Sequence, residues 1–350
     1  MADLQPQFDS FNKAICLGRF DEEKTLRDKR DIIRKKIEDN LPAVFEKHKE
    51  TCPEFWFRNQ GSYELGTGVK PIEGDYDIDQ GLYFSVSREE YKDPVVLKKR
   101  VYEALEGHTK EVKIRRPCVT VYYQKDGEHV YHVDIAVYSD GDSNSDGKTY
   151  LATGRTSSNE ENRKWVIDDP AALAKKINDK FTGNDRKQFR RILRYMKRWK
   201  DFYFNKAGFA APRGIALTVA AYYWFSPEYT DKFSGKMNDL LALKKLVKAM
   251  NDNFKPKSWF SSDRRLVVKL PVEPENDLFE KMTDGQMKTF EQNLTDLYNN
   301  LVKAEQDTDP VTASQLLQDE VFGSDFPVPA KSQTAQSRPA VGIGAAHESA

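Results

Sequence analysis

The sequence predicts an α+β fold in two lobes, a mixed β-sheet lobe followed by an α-helical lobe. Three observations carry that prediction. A charge-rich segment with helical patterning comes first, a β-rich stretch follows from Phe55 to Tyr138, and beyond the loop Asp142-Ser143-Asn144-Ser145-Asp146-Gly147 the hydrophobic period becomes helical. The 350 residues, 39% of them hydrophobic and 12% aromatic, suffice for one large two-lobed domain or two ordinary ones. The expected division is a sheet lobe with its N-terminal helix over 1–165, a helical lobe over 166–326, and a disordered tail over 327–350.

The N-terminal helix is placed between Asp21 and Lys49, where Leu26, Ile32, Ile33, Ile37, Leu41 and Val44 recur at helical spacing. Phe55-Trp56-Phe57 reads as a short strand ending near Gly61, and Asp77 to Val86 reads as a second. Val112 to Tyr123 and His129 to Tyr138 read as a strand pair joined by the turn Lys125-Asp126-Gly127-Glu128. In the last strand Val133, Ile135 and Val137 share one face and His132, Asp134 and Ala136 the other. Among the helices, Asp185 to Phe204 carries Phe189, Ile192, Leu193, Met196 and Trp199 on one stripe. Gly214 to Phe225 is nearly all apolar, as in a helix buried on most sides. Thr283 and Gln286 form a capping box ahead of Met287, Phe290, Leu294, Leu297 and Leu301. From Pro327 on there is no aromatic residue, and such a segment buries too little surface to order itself.

Lys and Arg together number 55, as do Asp and Glu, so net charge says nothing about partners and any electrostatic function comes from local clustering. No apolar run has the length of a membrane span, and the N-terminus lacks a signal-peptide core. Cys16, Cys52 and Cys118 are far apart and form no CxxC pair. A cytoplasmic protein without disulfides or membrane contact is expected.

Three features point to chemistry. Gly61-Ser62 at a strand end lets backbone N–H groups and a hydroxyl approach a phosphate, although Gly-Ser is also an ordinary turn. In Asp77-Ile78-Asp79, residues i and i+2 of a strand point the same way, and two adjacent carboxylates repel unless a cation lies between them. Magnesium, which takes carboxylate and phosphate oxygens, suits that position; a turn rich in acids is the plain alternative. Asp134 sits within an apolar strand, where a carboxylate is costly unless paired or metal-bound. A ligand there completes a two-metal site for phosphoryl transfer.

From Arg186 to Lys200 there are eight basic residues and no acidic one. With the apolar stripe inward, Arg190, Arg194, Lys197 and Lys200 reach toward a cleft, Lys197 and Lys200 being the preferred phosphate contacts; a solvated basic face is the alternative. His129 and His132 have zinc-compatible spacing but read as strand-surface histidines, and Tyr63, Tyr76 and Tyr138 as packing residues. No Walker loop is present, since no Gly-Lys-Ser/Thr follows Gly66 or Gly68.

Gly61-Ser62-Tyr63, Leu65-Gly66-Thr67, Asp77-Ile78-Asp79-Gln80-Gly81 and His132-Val133-Asp134-Ile135 resemble the nucleotidyltransferase core of the bacterial CD-NTases, the cGAS/DncV-like enzymes of CBASS-type anti-phage signalling. Asp169-Pro170, the segment Pro212 to Thr218, and Leu270 to Leu278 extend the resemblance over roughly residues 20–322. It implies a two-lobed nucleotidyltransferase with its site between the lobes. Asp77, Asp79 and Asp134 would be catalytic and hold two Mg2+ ions, with Mn2+ as substitute. Gly61, Ser62, Lys197, Lys200 and Arg213 would bind the nucleotide. The implied product is a cyclic di- or trinucleotide made from NTPs, ATP among them, that acts through a downstream effector. The resemblance also implies a partner like the ubiquitin-transfer enzymes acting on the C-terminal tail; a frayed terminus without function is the plain alternative. The rival expectations are a linear or terminal nucleotidyltransferase, which uses the same triad, and a catalytically silent nucleotide or nucleic-acid sensor.

Overall fold

A computed structural model of the protein describes residues 2–17, 21–72, 76–207 and 211–330. The expected tail therefore lies, from residue 331 on, outside the described residues. The chain runs α1 (Gln5–Ile15), α2 (Asp21–Lys47), β1 (Phe55–Asn59), α3 (Gly61–Glu64), β2 (Tyr76–Phe84), α4 (Val95–Leu105), β3 (Glu111–Ile114), β4 (Val119–Lys125), β5 (Glu128–Ser139), β6 (Tyr150–Thr153) and β7 (Lys164–Ile167). Helices then dominate: α5 (Pro170–Asp179), α6 (Gly183–Ala207), α7 (Gly214–Trp224), α8 (Asp239–Asp252), α9 (Asp284–Gln306) and α10 (Pro310–Leu317), with two short hairpins between them.

The seven-stranded sheet has the order β1-β2-β5-β4-β3, and β6 joins β5 with β7 beyond it. It is mixed because β2 and β5 are parallel while the other described pairs are antiparallel. Valines and isoleucines at alternate positions decide which face is covered. Ile78, Leu82, Val119, Val121, Val133, Ile135 and Val137 pack beneath α2 and α4, against Ile33, Ile37, Leu41, Leu97 and Val101. The other face of β2 and β5 is thereby left to Asp77, Asp79, His132 and Asp134.

The run from Val112 to Tyr123 is two strands rather than one. Pro117 has no N–H for a ladder, and a turn closed by Arg115 N–H donating to the Cys118 carbonyl at 2.9 Å folds β3 back on β4. Helix α4 and strands β6 and β7 lie outside the sequence expectations, although Leu97, Val101, Ala104 and Leu105 of α4 keep helical spacing; the four-residue strands β6 and β7 are too short to show a period. The capping box is as expected, with Thr283 Oγ1 accepting from Gln286 N–H and Gln286 Oε1 from Thr283 N–H.

The second core is helical. It gathers the α6 stripe Phe189, Ile192, Leu193, Met196 and Trp199, the buried side of α7, and Met287, Phe290, Leu294, Leu297 and Leu301 of α9. Helix α1 precedes the sheet in sequence yet packs here, its Phe8 and Phe11 nested against Tyr195, Phe322 and Phe326. The segment from Gly66 to Lys70, which leaves α3, is held between α1 and α6. Lys70 N–H donates to the Ile15 carbonyl and Leu17 N–H to the Gly68 carbonyl. From α6, Arg194 donates to the Gly66 carbonyl (2.7 Å), Lys197 to the Thr67 carbonyl (3.0 Å) and Arg198 to the Lys70 carbonyl (2.9 Å). Much of the basic run on α6 thus fastens the helical core to the loop between β1 and β2.

Candidate active site at the β2–β5 strand pair

The parallel register places Asp77 beside His132 and Asp79 beside Asp134. Strand β4 adds Thr120 opposite Asp134 and Tyr122 opposite His132. Residues facing each other across a ladder point to the same side, so the uncovered face carries one row of Asp79, Asp134 and Thr120 and a second of Asp77, His132 and Tyr122. His132 Nε2 lies 3.1 Å from Asp77 Oδ1, and Thr120 Oγ1 donates to Asp134 Oδ1 at 2.5 Å. Ligand atoms of Asp77, His132 and Asp134 all fall within 4.8 Å of one another. Asp79 stands outside that trio, its carboxylate turned toward Gly61.

Gly61 has φ +60°, and a Cβ there would lie 1.9 Å from Asp79 Oδ2. A side chain at 61 and the Asp79 carboxylate cannot share the space, which is the local reason for glycine beside Ser62. Burial, then the charges of Asp77 and Asp134, push the Asp79 carboxyl up to about 7. The carboxylate face is therefore short of positive charge. Its oxygen-rich donor set, with one imidazole, fits a hard divalent cation.

Across from the strands, Gly61, Ser62, Asp77, Asp79, Lys197 and Lys200 line a cavity of about 350 Å³, floored on the helical side by Gly214, Ile215 and Thr218. Burial, then Lys200 and Arg194, bring the Lys197 ammonium down to about 8. Lys200 lies 3.0 Å from Asp201. Arg213 caps α7 one residue before Gly214, is exposed, and is not among the described residues lining the cavity. Arg190 and Arg194, expected to reach the cleft, are engaged elsewhere: Arg190 donates to Asn178, and Arg194 to Asn12 and the Gly66 carbonyl. His129 accompanies Glu111 at 2.9 Å, away from the carboxylates.

Two members of the site escaped sequence reasoning. His132 was read as a plain surface histidine, although its place two residues before Asp134 on one strand already put it on the same face. Thr120 carries no signal of its own, because only the β4–β5 register brings it to Asp134. Tyr138, buried, donates to Asp168 and stacks on Tyr83 with ring centroids 4.6 Å apart, which is packing as expected.

A mixed sheet with paired acids on one open face, facing a helical core, is the part of the chain singled out by comparison with known proteins. Residues 53–138 match the family described as "Cyclic GMP-AMP synthase DncV-like, nucleotidyltransferase domain". That segment, which holds both β2 and most of β5, is where the chain is similar to the DncV-like nucleotidyltransferases. A cyclic GMP-AMP synthase from Escherichia albertii is 27% identical over 175 residues, which cover 47% of this chain and 35% of that protein; the match spans about a third of the relative's length. The fold is similar to that of Vibrio cholerae DncV cyclic AMP-GMP synthase, with TM-score 0.71 and 17% identity over 93% of this chain and 98% of that one. Escherichia coli DncV in its 3′-deoxy GTP bound form gives 0.64 at 17% identity over 89% and 93% of the two chains.

The raised Asp79 carboxyl has a consequence for stability. A group with a higher pKa folded than unfolded favours the fold while protonated and opposes it as pH rises through the folded value. In chelator, Asp79→Asn is expected to melt above the parent at pH 8, with the gap closing toward pH 4. Thermal denaturation across that range checks it; an equal or lower melting temperature at pH 8 would contradict the repulsion.

Proposed function

We propose that this chain is a divalent-metal-dependent nucleotidyltransferase that builds a cyclic di- or trinucleotide from NTPs, ATP among them, for anti-phage signalling. The observation that carries the reading is the convergence of Asp77, Asp79 and Asp134 on one face with too little positive charge to balance them. A binding-only sensor has no use for three mutually repelling acids, which argues against the silent alternative. The similar proteins support the cyclic product over a linear one. The E. albertii relative is named a cyclic GMP-AMP synthase, and the V. cholerae protein has been solved with GTP, with ATP and GTP, and with the linear intermediate 5′ pppA(3′,5′)pG.

In this reading Ser62 and the backbone at Gly61 receive the donor triphosphate, with Lys197 and Lys200 opposite them. Arg213 contacts the nucleotide only if its exposed side chain swings over α7. Asp77, Asp79 and Asp134 would hold Mg2+, or Mn2+ in its place. The bound ions supply charge neutralisation on the phosphates and acidify the attacking hydroxyl. His132 positions Asp77, and Thr120 positions Asp134. A ribose hydroxyl of one nucleotide attacks the α-phosphorus of the other and pyrophosphate leaves. A second such attack in the same cleft closes the ring. The contribution of these residues is orientation and electrostatics, not covalent catalysis. No helix among the described residues is long and apolar enough to cross a membrane, in keeping with a cytoplasmic site of action and a diffusible product read by an effector.

Asp77→Asn, Asp79→Asn and Asp134→Asn should each abolish formation of a phosphatase-resistant product from labelled NTPs, with mass spectrometry giving its size. Parent-level synthesis by two of the three would sink the assignment, and a parent product fully degraded by phosphatase would favour the linear enzyme. Lys200→Ala should raise the KM for NTP about 10- to 100-fold, as expected for one charge-assisted hydrogen bond worth roughly 1.5–3 kcal/mol; an unchanged KM would return Lys200 to the solvated face. The segment after residue 330 is proposed as the point of attachment for a ubiquitin-transfer-like partner. In cells encoding such a partner, Ala350→Glu should remove the higher-mass adduct, and its persistence would rule the tail out.

A further inference from the structure

A second groove lies apart from the carboxylate cleft. It holds about 740 Å³ around the outer edge of β3, between α4 and the loop after β6, and none of its lining residues lines the cleft. Four cations face it: Lys99, Lys113, Arg115 and Arg155. The acid among its lining residues, Glu103, is already committed to His48 at 2.8 Å and Arg100 at 3.7 Å. Lys113 pairs with Glu111, whereas Lys99, Arg115 and Arg155 form no ion pair among the described residues. In a chain whose charges balance overall, four cations around one groove are a local choice.

The backbone beneath the two arginines is held by a buried lysine. Lys98 is fully buried, has no carboxylate partner among the described residues, and donates to the carbonyls of Arg115 (2.6 Å), Arg116 (2.9 Å) and Gly154 (2.7 Å). Gly154 N–H in turn donates to the Arg116 carbonyl at 3.0 Å. Burying an ammonium is costly, and here it locks the turn bearing Arg115 to the residue that precedes Arg155. The backbone that carries the cationic pair is therefore held, while the two guanidinium groups remain exposed to an anion.

Ring faces complete the groove. Tyr102 and Tyr122 line it, with Lys113 Nζ 5.6 Å from the Tyr122 centroid, and Thr156 and Ser157 add hydroxyls. The volume lies in the range of small-molecule sites. Clustered cations suit a polyphosphate, and tyrosine rings suit a base.

We propose that this groove is a second binding site for a nucleoside polyphosphate, outside the carboxylate cleft. Two sources share that chemistry. One is the acceptor nucleotide of the proposed reaction, whose phosphates would enter the groove past Tyr122, in register with His132 and with its ring 5.9 Å away. Alternatively, a nucleotide that does not react occupies the groove as a regulator. The choice between sources rests on the proposed activity; binding itself does not.

The test is calorimetric titration of ATP, GTP and inorganic triphosphate into the full chain carrying Asp134→Asn, in chelator. One saturable site is expected for a nucleotide, weakened at least 10-fold in Arg155→Glu and in Lys113→Glu. Both positions are exposed, and circular dichroism confirms their folding. Absence of saturable binding, or binding indifferent to both charge reversals, overturns the proposal. Inorganic triphosphate binding as tightly as either nucleotide overturns the nucleoside assignment. Steady-state kinetics on the otherwise intact chain then separate the sources. Arg155→Glu raising KM for one nucleotide at unchanged kcat identifies the acceptor. A change in the response of kcat to a non-substrate nucleotide identifies the regulator. A chain that binds in chelator yet makes no product in any assay would refute the proposed activity and leave the groove standing.

Discussion

Everything about the site depends on one pairing, the parallel ladder between β2 and β5. In a parallel pair, residues at matched positions advance together, so Asp77 and Asp79 near the start of β2 are brought level with His132 and Asp134 in the middle of β5. Had the register slipped by one residue, Asp134 would have turned under α2 and α4, where a carboxylate has no partner. The apolar residues Ile78, Val133 and Ile135, fully or almost fully buried on the covered face, prevent that slip. The acids are exposed to each other because the hydrophobic residues between them are not exposed at all.

The same pairing explains why the site is incomplete on the sheet alone. The open face offers carboxylates, one imidazole and a threonine, while the cations sit on α6 in the other core. Holding the two together falls to the Gly66–Lys70 segment, gripped through its carbonyls by Arg194, Lys197 and Arg198. A lysine spent on a loop carbonyl is also one placed within reach of the Asp79 field, so structural fastening and charge placement use the same side chains. Buried lysines recur as fasteners here, with Lys98 doing for the β3 edge what Lys197 does for the cleft.

Much of the fold could be read from the chain. The stripes of α6 and α9, the capping box at Thr283 and the alternation in β5 are strong periodic signals, because a single buried face imposes them. Strands β6 and β7 were not legible, since four residues at a sheet edge carry no period, whereas α4 did keep its period in Leu97, Val101, Ala104 and Leu105 and was legible in principle. The break at Pro117 had a local cause in the missing N–H, but the propensity of the surrounding valines and tyrosines masked it.

The sequence by itself determined which residues carry charge into the sheet, namely Asp77, Asp79 and Asp134, and that Gly61-Ser62 stands at a strand end, since spacing along a strand dictates facing. Tertiary structure decided what no spacing contains. It chose His132 and Thr120 as neighbours of the acids, withdrew Arg190 and Arg194 from the cleft into hydrogen bonds with Asn178, Asn12 and the Gly66 carbonyl, and carried α1 across to the helical core. Those outcomes depend on contacts between residues tens to nearly two hundred positions apart, where the partner of a polar group is set by packing geometry and not by anything within its own segment.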